Sequence, residues 1–150
     1  MKTTKKVEIL SFEKQQKLVV FTEKTEAKYA ARRGSSCIDT HYNTSYKILD
    51  LSGKQLLAFE DHARDLGFFR GFVSKIYCYQ DFFVRAQCDL EVHTDGKKER
   101  SSSFQAYTYK GNLINRGFEK WTGKQDIVDY YNSIADEVDE EAYDRANQDY

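Results

Sequence analysis

Three cysteines and three histidines are the residues best equipped for chemistry in this chain. Cys37 and His41 share one polar stretch, and Cys88 precedes His93. Together they make a four-ligand set of the kind zinc takes. Cys88 and His93 are five residues apart, so on one regular strand they point to opposite faces, and Cys88 belongs to an apolar row. The expectation is no metal. Cys37, Asp39 and His41 supply a thiol, a carboxylate and a base, yet no nucleophile-turn spacing surrounds Cys37. His62 stands among Glu60, Asp61 and Asp65, an ordinary surface arrangement. Glu60, Asp61, Asp65, Asp89 and Glu91 allow a metal-dependent nuclease, in which Asp89 and Glu91, two apart on one strand, meet a single Mg²⁺. The eight glycines form neither of the two phosphate-loop patterns, GxGxxG and GxxxxGK[ST], so no nucleotide cofactor is expected. A non-enzymatic protein without a cofactor is the leading expectation, with the nuclease as an outside alternative.

Binding residues are more abundant than catalytic ones. Lys75, Tyr77 and Tyr79 alternate along one segment, Arg85 and Gln87 along the next, and Gln105, Tyr107 and Tyr109 along a third. If the strand register aligns them, basic and aromatic side chains interleave on one sheet face. Such a face suits a protein interface, where Tyr and Arg dominate, or a stacking platform for single-stranded nucleic acid. The charge is also divided. Residues 1–33 balance at +5, residues 34–125 at +2 and residues 126–150 at −8, within a net charge of −1. Asp139, Glu140, Glu141 and Asp144 fall in the C-terminal half of an expected helix, where negative charge opposes the helix dipole. Helix stability does not explain them, so they are expected to address a basic groove on a partner.

These residues need elements to position them. A chain of 150 residues with 22 aromatic side chains has the size and the core of one domain. No apolar stretch approaches a membrane-spanning length and no leader pattern opens the chain, so the expectation is a reduced, cytoplasmic protein. Residues 6–12 and 17–23 read as a first hairpin. Thr25 opens EAKYAARR before Gly34, which predicts a short helix. Residues 34–44 read as a polar loop and 45–51 as a strand. Ser52 and Gln55 fit a capping box, so 54–66 is expected to be a helix, the rival being a hairpin turning at Ser52-Gly53. Phe82, Val84, Ala86, Cys88, Leu90 and Val92 alternate with Arg85, Gln87, Asp89, Glu91 and His93, which predicts a long half-buried strand. It lies within a meander over residues 71–118. Ile127, Tyr131, Ile134, Val138 and Ala142 form one apolar stripe, predicting a long acidic helix from about residue 124.

The expected fold is thus a single α+β domain, a twisted antiparallel meander with helices on one face. The expected function is that of an inhibitor or adaptor docking on another protein, one that itself carries a basic nucleic-acid-binding groove. By analogy of style, phage and mobile-element inhibitors of nucleic-acid-handling enzymes look like this. The alternative is a nucleic-acid-binding module that uses the basic and aromatic sheet face.

Overall fold

The computed structural model describes residues 1–30 and 37–115. They form a single sheet of eight antiparallel strands in which spatial order equals sequence order. The strands are β1 (Lys2–Phe12), β2 (Gln15–Ala30), β3 (Ile38–Leu49), β4 (Gln55–Asp65), β5 (Phe69–Cys78), β6 (Phe82–Val92), β7 (Lys98–Thr108) and β8 (Leu113–Asn115). The described residues contain no helix, and hence none long and apolar enough to cross a membrane. The architecture is all-β, which corrects the α+β expectation.

Two expected helices are strands. Residues 26–30 continue β2 and pair with β3, Glu26 opposite Tyr42 and Tyr29 opposite Asp39. Good helix formers are overridden here by a ladder that extends a hairpin already in register. The second case turns on Asp50. Its Oδ1 accepts bonds from the backbone N–H of Ser52 and of Lys54, each at 2.9 Å, and from the Ser52 hydroxyl. Gly53 supplies the positive φ of 93°. Asp50, Ser52 and Gly53 therefore build a hairpin turn, and what resembled a helix N-cap is that turn. Beyond it β4 alternates strictly. Leu57, Phe59, Asp61 and Ala63 turn inward, while Ala58, Glu60, His62 and Arg64 are exposed. Tyr46 and Phe59, directly opposite on β3 and β4, stack at 4.6 Å. The segment read as a loop over 34–44 carries the start of β3 at Ile38. The expected C-terminal helix, with its apolar stripe and acidic residues, lies outside the described residues.

The expected meander is present from β5 to β8 as far as Asn115, with a turn at Gln80-Asp81 closed by Tyr79 N–H on Phe82 O and a second at Asp95-Gly96. The first hairpin also stands, its two-residue turn formed by Glu13 and Lys14 with φ of 48° and 68°.

One joint shapes the whole. The β4–β5 ladder has only three pairs, Ala63–Gly71, Arg64–Arg70 and Asp65–Phe69. A Cβ on Gly71 would lie 2.3 Å from the Ala63 Cβ and 2.7 Å from the His62 carbonyl oxygen. Past this crossing the strands part and the sheet folds into two layers, β1–β4 over β5–β8. Residues that share no ladder then meet. Arg85 lies 3.7 Å from the Phe59 ring centre, and the Gln87 amide donates to Asp61 at 3.0 Å. Leu18, Val20, Tyr46 and Ile48 of the first layer pack with Ile76, Phe83 and Tyr107 of the second. The opposite row of the second layer carries Phe69, Phe82, Val84, Ala86, Cys88, Leu90, Phe104 and Ala106, all buried.

Gly71→Val is expected to cost at least about 3 kcal/mol, since no flexible tip can move aside at the crossing. Gly53→Ala, in open space but at positive φ, should cost only about 1 kcal/mol. Urea melts of both variants check the ranking, and equal costs would show that the crossing is not a point of close approach.

Candidate partner-binding cleft

The six expected binding residues of the meander do not share a face. Lys75 is opposite Ala86 and Tyr77 opposite Val84, so Lys75, Tyr77 and Tyr79 lie with the apolar row of β6. Arg85 is opposite Ile76 and Gln105, so it lies on the other face with Tyr107 and Tyr109. Most of these side chains are committed to packing. Tyr79 stacks on Phe82 at 5.0 Å and touches Phe12. Tyr107 is buried, stacks on Phe83 at 5.4 Å and donates to Gln105 at 2.9 Å. The Tyr109 hydroxyl donates to the Tyr79 carbonyl. Burial, then the neighbouring Cys78, pushes the Tyr109 phenol well above its ordinary range. The polar row of β6 faces the other layer rather than water. Asp139, Glu140, Glu141 and Asp144 lie outside the described residues.

Arg85 and Asp61 form a buried polar pair between the layers. Their side chains are 16% and 2% exposed and approach to 3.8 Å. Asp61 Oδ1 takes the Gln87 bond, while Asp61 Oδ2 and Arg85 Nε have no hydrogen-bond partner. This buried polar contact joins the two layers.

The residues proposed for catalysis are dispersed. Cys88 is fully buried, and Cys37 is exposed at the head of β3. Asp39 is gripped by Arg64 in a two-pronged bond of 2.9 and 2.8 Å and lies 3.1 Å from His41 Nε2. The Arg64 guanidinium, helped by His41, holds the Asp39 carboxyl below its ordinary 3.8. Glu60 and Asp61 point to opposite sides of β4. Glu60 accepts from the Ser45 hydroxyl at 3.2 Å and lies 3.7 Å from His62. Among the described residues one metal-type group does come together. Glu91, His93 and Glu99 bring their ligand atoms within 4.8 Å of one another. Glu99 enters by cross-strand pairing with Glu91, which sequence spacing did not reveal. The three can offer one nitrogen and two oxygen ligands to a divalent cation, the His93 Nε2 being buried and without a hydrogen-bond partner and Glu99 exposed.

Two depressions flank the β4–β5 crossing. The shallower, about 260 Å³, is lined by His41, His62, Arg64, Arg70, Phe72 and Asp89. Arg64 is paired with Asp39, and the His41 and His62 rings lie 3.1 Å from Asp39 and 3.7 Å from Glu60. The larger, about 360 Å³, opens between the inner row of β1–β3 and β5. Thr4, Lys6, Glu8 and Leu10 come from β1, Thr22 and Lys24 from β2, Tyr42, Thr44 and Tyr46 from β3, and Phe72, Val73 and Lys75 from β5. It exists because the three-pair ladder lets β5 swing away while β1–β3 continue past it. Three lysines stand against Glu8 as the one acid in the lining. Lys24 lies 5.0 Å over the Tyr42 ring, and Lys75 lies 5.0 Å over Tyr77. Of the sequence-derived binding residues that the structure describes, Lys75 alone lines this cleft.

Comparison with protein-family models, with curated proteins and with solved structures gives no match.

Arg85→Ala should destabilise the fold by about 3 kcal/mol, because it strands the buried Asp61 carboxylate. Lys75→Ala should cost under about 0.5 kcal/mol. Chemical denaturation of both separates an interlayer role from a surface one. The thiols give a second check. Burial raises the Cys78 thiol to about 11, and Cys88 is fully buried. At pH 8 a disulfide reagent should therefore titrate Cys37 alone in the native protein and all three cysteines after denaturation. Asp39 gives the third. Its folded-state pKa is lowered, so its stabilising contribution is complete above the unfolded value and is lost as pH falls through the lowered one. Asp39→Asn should therefore differ most from the parent near neutrality and converge with it below about pH 4. A gap that persists into strong acid would assign the effect to packing.

Proposed function

We propose that this is a non-enzymatic binding protein whose working surface is the cleft between β1–β3 and β5, and that it takes an acidic, extended segment of a protein partner. One observation carries the reading: Lys6, Lys24 and Lys75 converge on the cleft against a single acid, beside the apolar side chains of Phe72 and Val73. Such a lining draws carboxylates at its rim and buries an aromatic or aliphatic side chain within. An adaptor or inhibitor needs nothing further from its own chain.

The aromatic geometry favours a protein over single-stranded nucleic acid. A stacking platform needs ring faces open to bases. In the cleft the Tyr46 ring is stacked on Phe59 and only 8% exposed, and Tyr42 is 6% exposed beneath Lys24. Phe72, at 42%, is the one substantially exposed ring of the lining. Arg85 and Tyr107, needed for the nucleic-acid alternative, are enclosed between the layers.

A random copolymer of glutamate and tyrosine and an oligothymidylate serve as paired probes. The copolymer should bind with an affinity that falls as salt rises, and Lys24→Glu with Lys75→Glu should weaken it by roughly tenfold or more. Tighter binding of the oligothymidylate, sensitive to the same two lysines, would overturn the reading in favour of nucleic acid.

A further inference from the structure

The first strand of the sheet lines the cleft with its inner row, Lys6 and Glu8 included, and leaves its outer edge and outward face as a second surface. β1 is eleven residues long and lies at the edge of the sheet order. Among the described residues no strand pairs with its outer side. On the face turned away from the cleft, Val7 is 60% and Ile9 56% exposed. Phe21, directly opposite Val7 on β2, is 43% exposed. A long edge with an apolar patch invites strand addition, and natural proteins either block such an edge or pair it.

We propose that two copies of the chain pair β1 against β1, antiparallel, about a twofold axis through Val7. The occupant follows from symmetry and charge. A twofold axis that joins two edges in one continuous sheet keeps each face on its own side, so the register must centre on a residue. Centring on Lys6 sets lysine against lysine, and centring on Glu8 sets glutamate against glutamate, both unfavourable directly across a ladder. Centring on Val7 sets each Lys6 opposite the partner's Glu8 and each Val7 against its own copy. It also lays the stem of Lys5 over the partner's Ile9. Lys6 and Glu8 are 61% and 42% exposed and 3.1 Å apart on one face of the strand, so neither is buried away from a strand added alongside. The Val7, Ile9 and Phe21 patch then runs across the axis as one apolar surface. Lys6 serves selection as well. Strands lacking an acid at the matching position meet Lys6 unpaired.

Sedimentation velocity over a dilution series tests this, with circular dichroism confirming that each variant keeps its β signal. The parent should show a concentration-dependent dimer. Lys6→Glu and Glu8→Lys should each weaken it by roughly tenfold or more, since each places like charges opposite at two symmetric positions. The double variant should regain it, and mixing the two single variants should yield a heterodimer, because each supplies what the other lacks. Ile9→Lys, at an exposed position, sets lysine opposite Lys5 and should weaken the dimer independently. A parent that stays monomeric up to millimolar concentration would overturn the proposal. So would single variants that dimerise like the parent, or a double variant that fails to recover.

Discussion

The closeness of two backbones at Gly71 and Ala63 governs the rest of the molecule. Eight strands in sequence order, fully paired throughout, would make a long open sheet with both faces wet. No such sheet buries enough apolar area to offset the ordering of its chain. Letting β4 and β5 touch over three pairs and then diverge converts one surface into two that face each other. A side chain at position 71 would hold the strands apart, so the absence of a Cβ there is a requirement of the architecture.

The same joint creates the surfaces with which the protein meets others. Where the layers overlap, Phe83, Tyr107, Leu18 and Ile48 close a dry interior, and Arg85, Asp61 and Gln87 add a directional polar contact that fixes the layers' relative placement. Where β1–β3 outrun β5, the inner row changes character, from Leu18 and Val20 to Thr22 and Lys24 along a single strand. The boundary between core and cleft is thus encoded as a change from apolar to polar within one alternating row. A bulge near Ser11 aids the joining at the far end. It leaves Lys17 without a ladder partner, and its amine reaches the Gln80 carbonyl at 3.1 Å and lies 5.2 Å over the Tyr109 ring.

The meander was legible in the sequence because its signals are local: alternation over 82–92 broken at Phe83 alone, an Asp-Gly turn, and a second glycine at the bend before β8. Residues 54–66 were misread because Ser52, Gly53 and Gln55 suit a helix start and a hairpin turn alike. Asp50, whose carboxylate decides between them, lies two residues upstream of the motif. Phe83 was the clue to the second layer. An aromatic residue in an otherwise polar row signals that the row has something to pack against, and here it is fully buried. The binding face inferred from tyrosines failed on parity. Whether Lys75 and Arg85 share a side depends on the pairing of neighbouring strands, Lys75 with Ala86 and Arg85 with Ile76, which no single-strand pattern contains. The cleft lysines were individually visible, but Lys6, Lys24 and Lys75 converge only through the fold.

Sequence-ordered strands also set a timetable for folding. Every ladder joins strands that are consecutive in sequence, so each hairpin brings together segments close along the chain, as in isolated hairpins that form on the microsecond scale. The interlayer contacts are of another kind: Lys17 and Gln80 are 63 residues apart. The entropy of bringing such distant segments together is recovered only when the whole interior assembles at once. The chain is therefore built to zip first and fold over afterwards. In the interval between those two events the row from Phe83 to Gln87 stands in water, and the molecule is at its most adhesive.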